Sequence, residues 1–194
     1  GFSVVSNIRL ANSQDRMDEY KYYAGVGSTV GVNVNFLTPE EIKEVWPLCN
    51  TEGLLGAIQH PDDGYIQPAD LTQALCKGAR NRGAEIYEHT LVEGITQQKD
   101  QSWIVSTDKG DITCEKVVNA TGYRVNEVGN MLGVEHPVTS MEHMYFLTEP
   151  MPELEALDFR VPIIRDPRDD FYSRQEKHGL LVGVYEQGCK TFGM

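Results

Sequence analysis

Apolar and polar positions alternate in short runs along most of this chain, and the runs predict a sheet-rich molecule interrupted by a few helices. Ser3 to Leu10 has strand composition, Gln14 to Ala24 suits a polar, exposed helix ending at Gly25 and Gly27, and Gly31 to Phe36 alternates Val with Asn as a second strand. Thr38-Pro39-Glu40-Glu41 is a capping box, with Thr38 as N-cap, Pro39 at the first helical position and Glu41 reaching back, and predicts a short helix to Val45. Leu54 to Gln59 is another strand, closed by the turn Pro61-Asp62-Asp63-Gly64. From Pro68 to Arg82, Leu71, Ala74, Leu75 and Ala79 recur on one helical face, and Gly83 supplies the C-cap.

Further along, Glu85 to Tyr87 is a strand candidate, and Val92 to Thr96, Trp103 to Thr107 and Asp111 to Val118 predict a β-meander with a tight turn at Asp108-Lys109-Gly110. Its last strand runs into Asn119-Ala120-Thr121-Gly122 and a helix from Val125 to Leu132. A strand that stops on small residues exposes backbone N–H groups at its carboxyl edge, where open α/β sheets place their ligands, so this end suits a cofactor. Val138 to Thr148, Val161 to Arg165, Phe171 to Gln175 and Leu180 to Glu186 complete a second, antiparallel set. The expected fold is mixed α/β: a nucleotide-binding piece over 55–133, interleaved with an antiparallel platform formed by 1–54 and 134–194.

Composition narrows the function. The 194 residues carry 17 Lys plus Arg against 29 Asp plus Glu, a formal charge of −12, which opposes binding to nucleic acid or anionic membrane surfaces. No run approaches a membrane span. Cys49, Cys76, Cys114 and Cys189 form no C-x-x-C pair, so reduced and mostly buried thiols are expected. Glu135-His136 and Glu142-His143 lack helical ligand spacing, so no metal site is expected; His60, His89 and His178 look like surface or turn residues. Gly1 in place of Met and a tail without an evident cap point to an internal piece of a longer polypeptide.

The stretches SNIRLANSQDRMDEYKY, DDGYIQPADLTQALCKGARNRGAEI, VVNATGYRVNEVGNMLGVEHP, SMEHMYFLTE and DDFYSRQEKHGLLVGVYE, in this order, resemble the flavin-dependent amine oxidoreductases of the D-amino acid oxidase superfamily, most closely the dimethylglycine and sarcosine dehydrogenases. The resemblance implies a Rossmann-like FAD-binding domain of the glutathione-reductase type over 55–133, joined to the substrate domain formed by the flanks. It also implies oxidation of an N-methyl group, with FAD accepting a hydride, and electron-transfer flavoprotein or oxygen as the acceptor. Tetrahydrofolate would bind through a C-terminal domain outside this sequence, and a bacterial cytoplasmic or mitochondrial matrix location follows. The family's G-x-G-x-x-G turn is absent here, so this piece alone is expected to bind FAD weakly or not at all. A non-catalytic relative, such as the regulatory subunit of pyruvate dehydrogenase phosphatase, and an oxidase of another amino acid or amine remain as alternatives.

The same resemblance assigns roles. Val92 matches the valine whose backbone lies against the adenine, though a core strand valine fits its sequence context equally, and Ala120, Thr121 and Gly122 match the small-residue turn near the ribose and pyrophosphate. His143 matches a histidine of an H-x-Y segment beside the flavin; strand alternation would put it on one face with Met141 and Tyr145, where a satisfied core histidine is the alternative. Tyr172 matches the tyrosine of a Y-x-R segment facing the substrate amine. Arg174 offers a planar fork for a substrate carboxylate or an ion pair within the sheet, and Tyr185 and Glu186 could line the pocket.

Overall fold

Seven strands form the main sheet, in the order Tyr145–Leu147, Gly179–Val184, Phe171–Glu176, Ile163–Asp166, Asn7–Ala11, Gly56–His60 and Asn35–Leu37. The computed structural model that shows it describes residues 1–192. The sheet belongs to a compact unit built from Gly1–Gln73 and His143–Gly188; the second unit starts at Ala74, runs to Glu142 and takes in the segment from Cys189. Neighbouring strands are antiparallel except at the middle, where Ile163–Asp166 runs parallel to Asn7–Ala11.

Alternation gives the sheet two faces of different character. One face buries Ile8, Leu10, Ala57 and Ile164 against Ile42, Trp46, Leu154 and Val161. The helix Pro39–Val45 supplies Ile42 and carries the expected capping box, with Thr38 Oγ1 accepting from Glu41 N and Glu41 Oε2 accepting from Thr38 N. Trp46 caps that helix and donates its indole N–H to the Pro162 carbonyl at 2.8 Å, tying the helix to the far strand. The other face is covered at one end by the helix Gln14–Ser28, whose Tyr20 and Met17 lie over Ala11 and Ile58. Burial pushes the Tyr20 hydroxyl above its ordinary pKa, and that hydroxyl donates to the Leu10 carbonyl.

Several expected elements change shape. Ser3 to Leu10 is two strands, because Ser6 takes a left-handed φ of 62° and the N–H groups of Val5 and Ser6 both donate to the Asp63 carbonyl. Phe2–Val4 pairs instead with Gly64–Ile66, and a Cβ at Gly64 would overlap the Ser3 backbone, so the pairing needs glycine there. The first helix continues through Gly25 and Gly27 to Ser28, since Val32 N–H returns to the Gly27 carbonyl and packs the following loop on the helix end. That loop leaves only Asn35–Leu37 of the expected second strand.

In the second unit, Val92–Gln97, Trp103–Thr107 and Gly110–Cys114 form the expected meander. Glu85–Tyr87 is not a strand, and neither is the stretch from Glu115 to Asn119. A strand exists only through its ladder; among the described residues the stretch has no ladder partner, and Val118 is 85% exposed. The helix after Gly122 ends at Asn130, and Val138 to Thr148 is divided into Ser140–Met141, paired with Thr191–Phe192, and the separate strand Tyr145–Leu147. All four thiols are free, but Cys49 alone is buried, and that burial raises its pKa; Cys76, Cys114 and Cys189 are half-buried. No helix among the described residues is long and apolar enough to cross a membrane.

His60 departs from the surface position expected of it. It ends a strand, meets Tyr23 edge to face at 5.5 Å and keeps a buried Nε2 without a hydrogen-bond partner. Burial, helped by Arg9, lowers its pKa from the ordinary 6.5. An unfolded chain therefore takes up this proton before the folded one does. The His60 contribution is complete above about pH 6.5 and is lost as pH falls toward the lower folded value. Urea midpoints measured from pH 7.5 down to 5 are expected to fall less in His60→Phe than in the parent; parallel curves would remove His60 from the acid response.

Candidate active site

A single row of register positions crosses the main sheet on the face where the Gln14–Ser28 helix covers Ile58. Register pairs run from Phe36 to Ile58, Arg9, Arg165, Tyr172, Gly183 and Tyr145, one residue from each strand. Residues in register point to the same face, so Tyr172 stands beside Arg165 on that face. At Gly183 a Cβ would fall inside the Tyr172 ring: the tyrosine lies flat over the space the glycine leaves.

Tyr185 follows directly on the Gly179–Val184 strand and is held by its N–H to the Asp170 carbonyl at 2.8 Å. Its ring centroid is 5.8 Å from that of Tyr172 and 5.1 Å from that of His143, the latter nearly perpendicular. His143 does not sit on an alternating strand face as expected, because residues 142–144 are an irregular link before Tyr145–Leu147. It reaches this cluster through Tyr185 instead, with Nδ1 3.5 Å from the Glu186 carboxylate. Glu186 Oε2 is buried and has no hydrogen-bond partner. His143, Tyr185 and Tyr172 thus form a continuous strip joining an imidazole to two phenols.

Arg174 lies two residues from Tyr172 on the same strand face, but its guanidinium is engaged. Nη1 is 2.5 Å from Glu176 Oε2, and the group stacks 4.7 Å from the Tyr65 ring centroid. Sequence reasoning missed Arg9 and Arg165, which precede Tyr172 side by side in the row. The signal was an arginine after isoleucine inside each of two apolar strands, in Asn-Ile-Arg-Leu and Ile-Ile-Arg-Asp, but it takes the parallel pairing to bring the two together.

The other expected cofactor residues lie in the second unit. Asn119 fixes their turn: its Nδ2 donates to the Val125 carbonyl at 2.9 Å and its Oδ1 accepts from the Thr121 hydroxyl at 2.7 Å. Gly122 has φ +59°, and nothing lies within 4 Å of a Cβ built on it, so the exposed turn Ala120-Thr121-Gly122 presents bare backbone to open space at Gly122. Such a turn fits a flat or phosphate-bearing group brought close to the main chain. Val92 is half-buried at the bulged start of its strand.

Comparison with known proteins places this geometry in context. The chain is 37% identical over 186 residues to the mitochondrial dimethylglycine dehydrogenase of Rattus norvegicus, covering 96% of this chain and 22% of that protein. It is 33% identical to the mitochondrial pyruvate dehydrogenase phosphatase regulatory subunit of Mus musculus, over 98% of this chain and 22% of that protein. The chain therefore spans about a fifth of the length of these two relatives. Among solved structures, the L-proline dehydrogenase of P. horikoshii superposes with a TM-score of 0.86 at 27% identity, over 98% of this chain and 51% of that one. Residues 1–192 match the family model described as FAD dependent oxidoreductase, and the chain belongs to that family.

Proposed function

We propose that this chain is part of an FAD-dependent amine dehydrogenase or oxidase that removes a hydride from the N-methyl group of dimethylglycine or sarcosine. The observation that carries the reading is the His143–Tyr185–Tyr172 strip beside the sheet face opposite the Ile8–Ile42–Trp46 cluster. FAD, when bound, supplies the hydride acceptor. The turn Ala120-Thr121-Gly122 and the strand start at Val92 would hold it, on the strength of the bare backbone at Gly122.

The chemistry asked of the remaining residues is proton handling. An N-methyl amine loses hydride only when neutral, because its lone pair must follow the departing C–H electrons. A substrate that arrives as an ammonium must first give up a proton. Glu186 lies 3.5 Å from Nδ1 of His143, and an imidazole is a side chain able to accept the amine proton. The hydroxyl of Tyr172, or that of Tyr185, can orient the amine or pass the proton along the strip. The electron acceptor beyond FAD is electron-transfer flavoprotein or oxygen.

A second reading, a non-catalytic regulatory protein, draws on the 33% identity to the phosphatase regulatory subunit. A third, oxidation of a different amino acid or amine, draws on the L-proline dehydrogenase fold. The three are separated by turnover of dimethylglycine and sarcosine with an artificial electron acceptor, using the full-length parent and its His143→Ala and Tyr172→Phe variants. Turnover that drops at least tenfold in both variants while flavin stays bound is the expected result. A flavin-loaded parent that turns over no N-methyl substrate rejects it in favour of the second or third reading.

A further inference from the structure

Among the described residues, Arg9 and Arg165 are the two guanidiniums with neither an ion-pair nor a hydrogen-bond partner. Of the other arginines, Arg16, Arg80, Arg124, Arg168 and Arg174 lie within ion-pair distance of Glu19, Glu88, Glu127, Asp169 and Glu176. Arg82 donates to the Gly78 carbonyl, and Arg160 to the Tyr65 hydroxyl. Arg9 and Arg165 instead sit directly in register across the parallel strand pair, and each has a fully shielded Nε with no hydrogen-bond partner. Two like charges opposite one another repel, and a shielded N–H without an acceptor adds its own desolvation cost. An anion held at the guanidinium ends removes the repulsion.

The space for one is present. A cavity of about 210 Å³ is lined by Arg9, Arg165, Pro167, Asp170, Phe171 and Tyr185. Asp166 also lines it but accepts the backbone N–H of Arg168, and Asp170 is exposed; among the described residues no carboxylate comes within 4 Å of either guanidinium. Tyr185 connects the cavity to His143, and Arg165 lies 5.9 Å from the Tyr172 ring centroid. An anion held there therefore lies at the end of the proton-handling strip. Arg174 opens on a different cavity, with Tyr145, Leu147 and Leu181.

We propose that Arg9 and Arg165 form the carboxylate subsite of this protein, holding the carboxylate of a small N-methylated amino acid so that its amine meets the His143–Tyr185–Tyr172 strip. This assignment rests on the amine-oxidation reading for the identity of the ligand. It gives the paired, stacked Arg174 no part in carboxylate binding. Two donor forks converging on one carboxylate also select against amines that lack one.

The test uses the full-length flavoprotein and two ligands that cannot lose hydride from an N-methyl carbon, since neither has a nitrogen lone pair: N,N,N-trimethylglycine, with a carboxylate, and choline, without. Binding is followed by calorimetry and by the flavin absorbance change. Arg165→Gln is expected to weaken trimethylglycine at least tenfold and choline less than twofold; Arg165→Lys recovers part of the loss, and Arg168→Gln, outside the row, changes neither. If Arg165→Gln does not retain flavin, Arg9→Gln is judged by the same criterion. Equal losses for both ligands, loss of trimethylglycine with Arg174→Gln in place of the row arginines, or a parent that does not bind trimethylglycine overturns the subsite. A parent that oxidises dimethylglycine unaffected by Arg165→Gln rejects the subsite and keeps the activity. A parent that binds trimethylglycine through the pair but oxidises no N-methyl amine keeps the subsite and rejects the activity.

Discussion

If the full-length protein oxidises an N-methyl amine as proposed, alanine at Gly183 is expected to lower kcat/KM for that amine about a hundredfold while folding and flavin binding persist. The new Cβ would occupy the space of Tyr172 Cε1, Cζ and the hydroxyl oxygen. That is the far end of a side chain, so the ring can rotate away without moving the backbone, and the stability cost stays within the about 1–3 kcal/mol typical of overpacking. Catalysis has no such tolerance. The displaced ring leaves its place beside Tyr185 and Arg165, and a misplaced group in an active site costs on the order of a hundredfold, equivalent to about 2.7 kcal/mol. Steady-state kinetics of Gly183→Ala at matched flavin content tests this. A kcat/KM within twofold of the parent would show that Tyr172 needs no such seat.

The second large effect is on stability. Trp46 is 5% exposed, at the centre of the cluster that includes Ile8, Ile42 and Ile164. Trp46→Ala is expected to destabilise the main-sheet unit by about 3–5 kcal/mol, the range for removing a large buried aromatic side chain. Trp46→Phe keeps most of the packing but leaves the Pro162 carbonyl without its donor, at a cost of about 1–3 kcal/mol. Hydrogen exchange at the Gly56–His60 amides reports the local free energy directly. Equal losses in the two variants would mean that the indole N–H, rather than the packing, dominates.

What could be seen in the sequence was what is local. The Thr38 capping box, the helix from Pro68 and the Trp103–Thr107 hairpin each depend on a few neighbouring residues, and each is present. The stretch ending at Asn119 failed for a non-local reason: β-branched residues can propose a strand, but only a neighbouring chain segment can complete one. His143 was singled out through a resemblance, and its expected strand placement failed because alternation says nothing about an irregular link that turns its ring toward Tyr185. The Arg9–Arg165 pair could not be read at all. Each arginine alone is unremarkable in a strand, and their adjacency is a property of register between two distant strands.

That register also sets when the sheet can be completed. The Asn7–Ala11 strand meets Gly56–His60 and the helices that pack on it soon after they are made, but its other edge stays open until Ile163–Asp166 has been synthesised. At ordinary translation rates of 5–20 residues per second, the intervening stretch takes roughly 8 to 30 s. Throughout that interval a nascent chain carries an unpaired parallel edge with Ile8 and Leu10 on one side and a bare guanidinium on the other. An edge-borne charge of this kind discourages edge-to-edge association.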